Sequence, residues 1–420
     1  MTRDLRSLPP DAARRFAWAK ERRIRRVIEA LESAAPQSAR FVGGCVRDSL
    51  LGLEPNDIDI ATTLTPDEVI EALKAARLGF APTGIEHGTV TAIADHKGVE
   101  VTTLRADIST DGRRATVKFT RDWEVDAGRR DFTVNALYLT PALEIFDSVG
   151  GLHDLSARRI RFIGEPADRI REDYLRILRF FRFSARFAES FDGAGIAACA
   201  AHKDGMKRLS AERIGDEVMK LLSLPSPQAA VSAMAATGVL GEIWGASPQI
   251  EKLARMKSIA PHAPAALGLA ALYGAAGEGL DERLRLSNAH SHRRRAAVAN
   301  AALIEREWSE SAARAALYFM GVDAWRDACL IAEAAFLAGD GDPAARDAAF
   351  EALAALPDRW PPPERPFSGK DALALGLKQG PPVATAIKAA EKRWVEEGFP
   401  PQPRAMEILA EEASRLISRD

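Results

Sequence analysis

Residues 41–59 of the chain are FVGGCVRDSLLGLEPNDID, and this stretch decides the fold around it. The apolar residues up to Val42 predict a strand, the pair Gly43-Gly44 predicts a tight turn, and the residues that follow predict a short helix. A glycine turn at a helix N-terminus presents bare backbone N–H groups, which favour an anion such as phosphate. We therefore predict a phosphate-binding turn at Gly43 and Gly44.

Two aspartates end this stretch. Asp57 and Asp59 are separated by one residue, so in a strand both carboxylates point to one face while the neighbouring isoleucines face the core. Carboxylates are hard oxygen ligands that suit Mg²⁺, which binds through one or two carboxylates and substrate phosphates. Glu100, on a predicted strand, is a candidate third metal ligand. The alternatives are a solvated strand edge for the aspartates and a plain exposed position for Glu100.

Length and composition bound the class of protein. A chain of 420 residues is too long for one core, so about two to four domains are expected. With 47% apolar residues, 28% charged residues and a formal charge of −2, any nucleic-acid-binding surface must be local. Cys45, Cys199 and Cys329 are too few and scattered for a disulfide framework or a zinc site. Because neither a signal region nor an apolar run of about 18 residues occurs, we predict a cytoplasmic protein without a membrane span.

Strand and helix signals divide the chain into two kinds of structure. A charged amphipathic helix is predicted over residues 11–34. From about residue 35 to residue 157, short strands alternate with helices, one of which opens on the capping box Thr65-Pro66-Asp67-Glu68. After that, alanine, leucine and arginine recur with helical spacing. We therefore predict an α+β protein, with a small α/β domain followed by an all-helical remainder. The predicted strands are Phe41-Val42, Ile58 to Ala61, Thr89 to Ala94, Val99 to Leu104 and Ala136 to Leu139.

A second motif, RRDFTVNAL, occupies residues 129–137. Its alternation of charged and apolar residues predicts a helix that packs Phe132 against the core and turns Arg130 and Asp131 toward a cleft. An arginine can bind phosphate as a planar fork, and an aspartate can accept hydrogen bonds from ribose hydroxyls. The alternative is a surface network of charges one helical turn apart.

The third constellation is a basic segment, residues 158–186, which holds nine arginines and four acidic residues. Basic residues interleaved with aromatic residues suit an RNA backbone. Within the segment, Asp173 and Arg176 are three residues apart and therefore neighbours on one helix face. An aspartate accepts from the exocyclic amine of cytosine or adenine and an arginine donates to the adjacent ring nitrogen, so the pair could select C and A over G and U. The alternative is an ordinary helix salt bridge.

Together these motifs resemble the class II nucleotidyltransferases, the family of bacterial tRNA CCA-adding enzymes and poly(A) polymerases. The resemblance covers about residues 39–222, with further similarity in residues 368–381. In chain order the motifs are Gly43-Gly44-Cys45-Val46-Arg47-Asp48 with Asp57-Ile58-Asp59, Arg129 to Ala136, Asp147 with Gly151, Asp154-Leu155 and Arg159, Glu172-Asp173-Tyr174-Leu175-Arg176, and Leu209 to Ile214.

The family implies a head, neck, body and tail arrangement, with catalysis in the head and selection of the base in the neck. In this chain the corresponding regions are a helical N-terminal extension over residues 1–34, a nucleotidyltransferase head over 35–157, a helical neck over 158–224, a helical body over 225–356 and an RNA-binding helical tail over 357–420.

The resemblance also implies roles for individual residues. Asp57 and Asp59 would be the catalytic carboxylates and would hold two Mg²⁺ ions, while Asp173 and Arg176 would read the base. The segment Asp107 to Asp122 matches a mobile loop thought to help the switch from C to A addition. The full nucleotide-binding set is Gly43, Gly44, Arg47, Arg130, Asp131, Asp173, Arg176 and Arg179.

The implied activity is template-independent addition of C and A to the 3′ end of tRNA, from CTP and ATP, with release of pyrophosphate. A poly(A) polymerase, or a partial enzyme that adds only CC or only A, is the alternative within the family. A non-catalytic RNA-binding protein is the alternative outside it. In residues 80–89 the chain lacks the basic Gly-Arg-Arg-Phe-like stretch typical of the bacterial polymerases. The expected partners are therefore tRNA, CTP and ATP.

Overall fold

The computed structural model of the protein describes residues 5–7, 14–110, 115–339 and 346–418. The chain forms two compact units. Unit 1 comprises Met1–Gly245 and Arg283–Arg285, and unit 2 comprises Ala246–Glu282 and Leu286–Asp420. Within the described ranges, no helix has the length and apolar character needed to span a bilayer.

A mixed eight-stranded sheet forms the centre of unit 1, and a separate two-stranded hairpin accompanies it. The strands are β1 (Leu5–Ser7), β2 (Ala39–Val42), β3 (Asp59–Thr62), β4 (Gly79–Gly84), β5 (Thr89–Ala94), β6 (Lys97–Thr103), β7 (Arg105–Thr110), β8 (Ala115–Phe119), β9 (Tyr138–Leu139) and β10 (Glu144–Phe146). The sheet order is β1-β10-β9-β2-β3-β6-β5-β4, and β7 pairs with β8. β3 and β6 run parallel, whereas the other neighbours in the sheet run antiparallel.

Helices on the sheet follow the predicted alternation. They are α1 (Arg22–Ala34), α2 (Gly44–Leu50), α3 (Pro66–Ala75), α4 (Trp123–Gly128) and α5 (Gly151–Ser156). α3 begins at the predicted capping box, in which the N–H of Glu68 donates to Oγ1 of Thr65 and the N–H of Thr65 donates to Glu68. This local agreement fixes where the chain turns back after β3.

The N-terminal region differs from the single helix predicted over residues 11–34. A 3-10 helix over Arg14–Lys20 precedes α1, and β1 pairs with β10. The backbone of Phe16 leaves helical geometry, with φ −103° and ψ 30°, and its ring is fully buried. The ring of Trp18 packs edge-on against Phe41 of β2, with centroids 4.9 Å apart. Burial of these aromatic rings against the sheet explains the break in the helix.

The prediction of a helix over residues 129–137 is also wrong. Phe132 is extended, only Thr133–Asn135 form a short 3-10 helix, and β9 follows. The motif therefore crosses the core as an irregular segment, which lets successive side chains point in different directions. Its apolar members are fully buried, as predicted.

After α5 every described element is helical, which confirms the predicted α+β class. Unit 1 continues with α6 (Pro166–Glu172), α7 (Leu175–Phe187), α8 (Gly193–His202), α9 (Ala211–Leu222), α10 (Gln228–Ala236) and α11 (Val239–Ile243). Phe132 packs against Phe162, Phe180 and Phe183, with ring centroids 5.0, 6.4 and 5.3 Å away. This aromatic cluster joins the segment after α4 to α7.

The remaining helices continue to the C-terminus. They are α12 (Ile250–Ile259), α13 (Ala265–Tyr273), α14 (Leu280–Arg283), α15 (Asn288–Ala301), α16 (Glu310–Met320), α17 (Val322–Leu337), α18 (Ala348–Ala354), α19 (Leu356–Arg359), α20 (Gly369–Ala374), α21 (Pro381–Glu396) and α22 (Gln402–Ile417). In unit 2, Trp325 is fully buried and stacks on Trp308. Trp394 of α21 packs against Phe367 and Phe399 in a second cluster.

Candidate active site

The predicted carboxylates meet where β3 begins. Asp59 is the first residue of β3 and is partly buried, whereas Asp57 precedes the strand and is exposed. Glu100 of β6 is exposed and lies directly opposite Asp59 in the parallel register. The sheet topology therefore places the candidate third carboxylate on the strand beside Asp59.

The electrostatics of Asp59 indicate a site for a cation. Its pKa is raised to about 6, chiefly by burial and further by the negative charges of Glu100 and Asp57, while the positive charge of Arg130 opposes the rise. A divalent cation between these carboxylates would remove their repulsion. Within the described ranges, no three His, Cys, Asp or Glu side chains form a closed metal-binding group. Carboxylate oxygens are the kind of ligand that Mg²⁺ takes together with substrate phosphates, and the binding of Mg²⁺ by these residues stays a prediction.

The glycine turn connects β2 to α2, as predicted. Gly43 has φ 73° and ψ −120°, a conformation that favours glycine. Its N–H donates to the carbonyl of Leu137 over 3.1 Å, so the expectation of bare N–H groups is wrong for Gly43. Gly44 begins α2 and is partly exposed. The turn is thus held from behind by the segment that leads into β9.

Arg47 lies behind this turn and is 5% exposed. Its Nε donates to Oδ1 of Asp48 over 2.8 Å, and its Nη1 donates to Oδ1 of Asn135. Its guanidinium also lies over the rings of Phe183 and Phe187 of α7, 5.1 and 4.4 Å from their centroids. Arg47 therefore ties the turn to α7 in this structure, and its contact with a triphosphate stays a prediction.

Arg130 is held at the glycine turn by a carboxylate and a phenol. Its Nε and Nη2 donate to Oδ2 of Asp126 over 3.2 and 3.1 Å, and its Nε also donates to the hydroxyl of Tyr138 over 3.1 Å. A Cβ built on Gly43 would lie 3.6 Å from Nη1 of Arg130. A fixed guanidinium thus reaches both the turn and the neighbourhood of Asp59, which suits a contact with phosphate.

Asp131 is buried between the sheet and α7. Its Oδ2 accepts from Nε and Nη2 of Arg179, and its Oδ1 accepts from the N–H of Phe132 and Nδ2 of Asn135, each over 2.9 Å. Burial alone would raise the pKa of Asp131, but Arg179 and Asn135 more than offset it and lower the pKa. Both carboxylate oxygens of Asp131 therefore accept hydrogen bonds, and the side chain holds Arg179 in place. The contact of Asp131 with ribose stays a prediction.

The predicted base-reading residues do not share one helix face. Asp173 is the extended residue between α6 and α7, with φ −153° and ψ 108°, whereas Arg176 lies in the first turn of α7. Oδ2 of Asp173 accepts from Nη2 of Arg213 over 2.6 Å. Nη1 of Arg176 donates to Oε2 of Glu172 over 2.5 Å, and its Nη2 donates to the carbonyl of Arg129 over 3.1 Å. Because the chain is extended at Asp173, Asp173 and Arg176 point to different partners, Arg213 and Glu172.

A cavity of about 670 Å³ opens beside Asp57. It lies between the 3-10 helix over Arg14–Lys20 and the loop that precedes β3. Arg14, Arg15 and Trp18 form part of its wall. The cavity therefore reaches Asp57, and its wall carries both basic side chains and the acidic residues Glu21 and Glu54.

Comparison with known proteins identifies the family. Residues 39–161 match the family model described as Poly A polymerase head domain, and residues 194–252 match the model described as Probable RNA and SrmB-binding site of polymerase A. Over 386 residues the chain is 33% identical to the CCA-adding enzyme of Limosilactobacillus fermentum, with 89% of this chain and 92% of that protein covered. The chain belongs to the family of CCA-adding enzymes.

Two further members of the CCA-adding family resemble the chain over most of its length. It is 31% identical over 369 residues to the mouse mitochondrial CCA tRNA nucleotidyltransferase 1, with 86% of this chain and 83% of that protein covered. The crystal structure of the Bacillus stearothermophilus CCA-adding enzyme in complex with CTP superimposes with a TM-score of 0.73 at 26% identity, covering 95% of this chain and 99% of that chain. The resemblance inferred from the motifs is confirmed.

The segment Asp107 to Asp122, matched to a loop of the CCA-adding family, contains most of β7 and all of β8, while residues 111–114 lie outside the described residues. The root of this hairpin is bonded to the region of α4. The N–H of Arg105 donates to Oδ1 of Asp126 over 3.0 Å, and Nε of Arg129 donates to the carbonyl of Arg105 over 2.9 Å.

Three further residues bond to predicted site residues in this member of the CCA-adding family: Asp126 and Tyr138 bond to Arg130, and Arg213 bonds to Asp173. Asp126 precedes Arg129 and Arg130 by three and four residues, and this spacing is the signal that could have found it. Tyr138 carries no comparable local signal. Arg213 lies within the motif Leu209 to Ile214, but its pairing with Asp173 depends on how α9 packs in the fold.

Proposed function

We propose that the protein adds C, C and A in turn to the 3′ end of tRNA, from CTP and ATP, with release of pyrophosphate. The observation that supports the proposal is the position of Asp59, which lies opposite Glu100 and feels the charge of Arg130, the arginine beside the glycine turn. This arrangement lies in a chain that is similar to CCA-adding enzymes over most of its length.

Asp57 and Asp59 would hold two Mg²⁺ ions, with Glu100 as the third carboxylate. When bound, Mg²⁺ would lower the pKa of the RNA 3′-hydroxyl and neutralise charge on the triphosphate and pyrophosphate. Phosphoryl transfer needs positioning and charge stabilisation rather than a covalent enzyme intermediate. This requirement agrees with a site built from carboxylates, arginines and a glycine turn.

Triphosphate binding is assigned first to Arg130 and the turn at Gly43 and Gly44. Arg130 can keep its bonds to Asp126 and Tyr138 while Nη1 faces the turn, so its orientation is set before the nucleotide arrives. Arg179 is the second phosphate contact, because its side chain is 31% exposed while Asp131 fixes its guanidinium. Arg47 supports the turn from behind.

Base selection is assigned to Asp173 and Arg176. Their side chains are 28% and 12% exposed, and each is already oriented by a partner of opposite charge, Arg213 or Glu172. An incoming cytosine or adenine would meet an acceptor and a donor in fixed positions. Guanine and uracil present the opposite pattern and would leave these groups unpaired.

The helical body and tail are assigned to tRNA binding, with the predicted boundaries at residues 225 and 357. A cytoplasmic location is inferred from the sequence and agrees with three cysteines that are free and buried.

Poly(A) polymerase is the second candidate, because the family model that matches residues 39–161 carries that description. One assay distinguishes the CCA-adding enzyme from the poly(A) polymerase, the partial enzyme and the non-catalytic RNA-binding protein. The purified protein is incubated with Mg²⁺, labelled CTP or ATP, and tRNA that ends at the discriminator base. Addition of two C and then one A supports the proposal. Repeated A on any RNA supports the polymerase, and addition of CC alone or A alone supports a partial enzyme. Absence of incorporation supports an RNA-binding protein.

A further inference from the structure

Asp126 of α4 is almost completely buried, with 1% of its surface exposed. Its Oδ1 accepts from the N–H of Arg105, at the root of the β7–β8 hairpin, and from Nη2 of Arg129 over 2.7 Å. Its Oδ2 accepts from Nη2 of Arg130 and from the hydroxyl of Tyr138 over 2.6 Å. One carboxylate therefore bonds the hairpin through one oxygen and the arginine at the glycine turn through the other.

The end of α4 is also bonded to the neck. Nη1 of Arg169 donates to the carbonyl of Gly128 over 3.1 Å, and Nη2 of Arg176 donates to the carbonyl of Arg129 over the same distance. Gly128 is the last residue of α4, and Arg129 follows it. α4 and the residue after it are thus bonded to the hairpin, to Arg130 and to a residue assigned to base selection.

We propose that Asp126 is a positioning residue that couples the β7–β8 hairpin to Arg130. The position of the hairpin and the orientation of the triphosphate-binding guanidinium are then set together. The inference rests on the proposed function, because Arg130 must contact the nucleotide for the coupling to affect addition. Asp126 acts through Arg130 and touches no substrate itself.

The coupling requires two acceptor oxygens at one position. Asparagine has nearly the same shape as aspartate, but one of its oxygens is replaced by an NH₂ group, which only donates. At position 126 this donor would face another donor, either the N–H of Arg105 or the guanidinium of Arg130, and that hydrogen bond would be lost. Asp126→Asn is therefore the substitution that breaks the coupling with the least loss of packing.

Two measurements test the coupling in the full-length protein. The first is kcat, measured for CMP addition to tRNA lacking CCA and for AMP addition to tRNA ending in CC. The second is the rate of hydrogen exchange at the Arg105 amide. In Asp126→Asn, kcat should fall or the Arg105 amide should exchange faster, by about tenfold or more, because one side of the carboxylate is lost. In Asp126→Ala both quantities should change. Two results would overturn the proposal. One is wild-type kcat together with wild-type exchange at Arg105 in Asp126→Asn, and the other is a change in only kcat or only exchange in Asp126→Ala.

Thr65→Ala is the matched control for stability. It removes the N-cap of α3 in the same part of the chain, and it should lower the unfolding midpoint while both kcat and exchange at Arg105 stay within about twofold of wild type. If Asp126→Ala does not fold, the result for Asp126→Asn decides alone.

A double variant tests whether Asp126 acts through Arg130. Arg130→Lys combined with Asp126→Asn should be no slower than Arg130→Lys alone, whereas additive losses would contradict a positioning role. Wild-type protein in the same assay separates the two proposals. Failure of wild type to add nucleotides would contradict the proposed function, while exchange at Arg105 would still report on the hairpin bond.

Discussion

Arg179 of α7 donates from Nε and Nη2 to a single oxygen of Asp131, over 2.8 and 2.6 Å. This ion pair joins α7, in the predicted neck, to the segment that carries Arg130. The aromatic cluster around Phe132 bridges the same two regions. The ion pair of Arg186 with Asp48, at 3.4 Å, joins α7 to α2, the helix that follows the glycine turn. The groups assigned to base selection and those assigned to phosphate binding therefore share one packed framework.

Removal of Arg179 should destabilise this framework. In Arg179→Ala, Asp131 would remain buried with one oxygen unpaired, and we expect a loss of about 1–3 kcal/mol in unfolding free energy. Arg171→Ala is the matched control, because Arg171 pairs with Asp168 on the exposed face of α6 and should change stability by less than about 0.5 kcal/mol. Urea denaturation of both variants provides the measurement. Equal effects of the two substitutions would contradict the bridging role.

Asp59→Ala should abolish nucleotide addition while tRNA binding persists. Loss of a metal-binding carboxylate removes several kcal/mol of transition-state stabilisation, which corresponds to about a thousandfold or more in rate. Asp95→Ala is the control, since Asp95 is an acidic residue of unit 1 that pairs with Arg26. Single-turnover CMP addition and a filter-binding assay separate catalysis from binding. Substantial turnover by Asp59→Ala would show that the metal assignment is wrong.

The base-reading assignment predicts relaxed selectivity. Asp173→Ala and Arg176→Ala should raise misincorporation of UTP or GTP more than they weaken binding of the triphosphate. Arg213→Ala should act in the same direction as Asp173→Ala, because Arg213 donates to that carboxylate over 2.6 Å. The readout is kcat/KM for each of the four nucleotides. Unchanged base preference in all three variants would exclude the template role.

The fold class was predictable because the apolar patterns are local. β5 coincides with the strand predicted over Thr89 to Ala94, and the capping box starts α3 where the sequence indicates. The N-terminal helix and residues 129–137 were not predictable from periodicity. In both places, tertiary burial of aromatic rings such as those of Phe16 and Phe132 overrides helical spacing.

The sequence indicated which residues are candidates for the site better than it indicated the contacts that they make. Glu100 was a candidate because it lies on a predicted strand, whereas its position opposite Asp59 depends on the parallel pairing of β3 with β6, which the sequence did not predict. The pairing of Asp173 with Arg213 joins residues 40 positions apart and depends on how α9 packs, which no local pattern specifies. Arg47 was predicted to bind the nucleotide, but its burial against Phe183 and Phe187 depends on the docking of α7, which no local pattern specifies.

The pKa of Asp126 predicts a dependence of stability on acid. Burial alone would raise this pKa, but the charges of Arg130 and Arg129 and several hydrogen bonds lower it from 3.8 to about 2. Because the folded-state pKa lies below the ordinary value, the ionised carboxylate stabilises the fold above about pH 4, and this contribution is lost as the pH falls toward 2.

Asp126→Asn removes the titrating group. The difference in unfolding free energy between wild type and this variant should stay constant from about pH 7 to 5 and then decrease, by about 2 kcal/mol in total, below about pH 4. Urea denaturation at each pH measures it. A difference that stays constant to the lowest pH at which both proteins fold would contradict the lowered pKa.

The most direct test of the central claim is the 3′-end sequence that the wild-type protein makes on tRNA lacking CCA, in the presence of Mg²⁺ and equal concentrations of all four nucleoside triphosphates. The arrangement of Asp57, Asp59, Arg130, Asp173 and Arg176 predicts ends that are completed as CCA and then stop. Runs of A, or incorporation of U and G as readily as C and A, would contradict it.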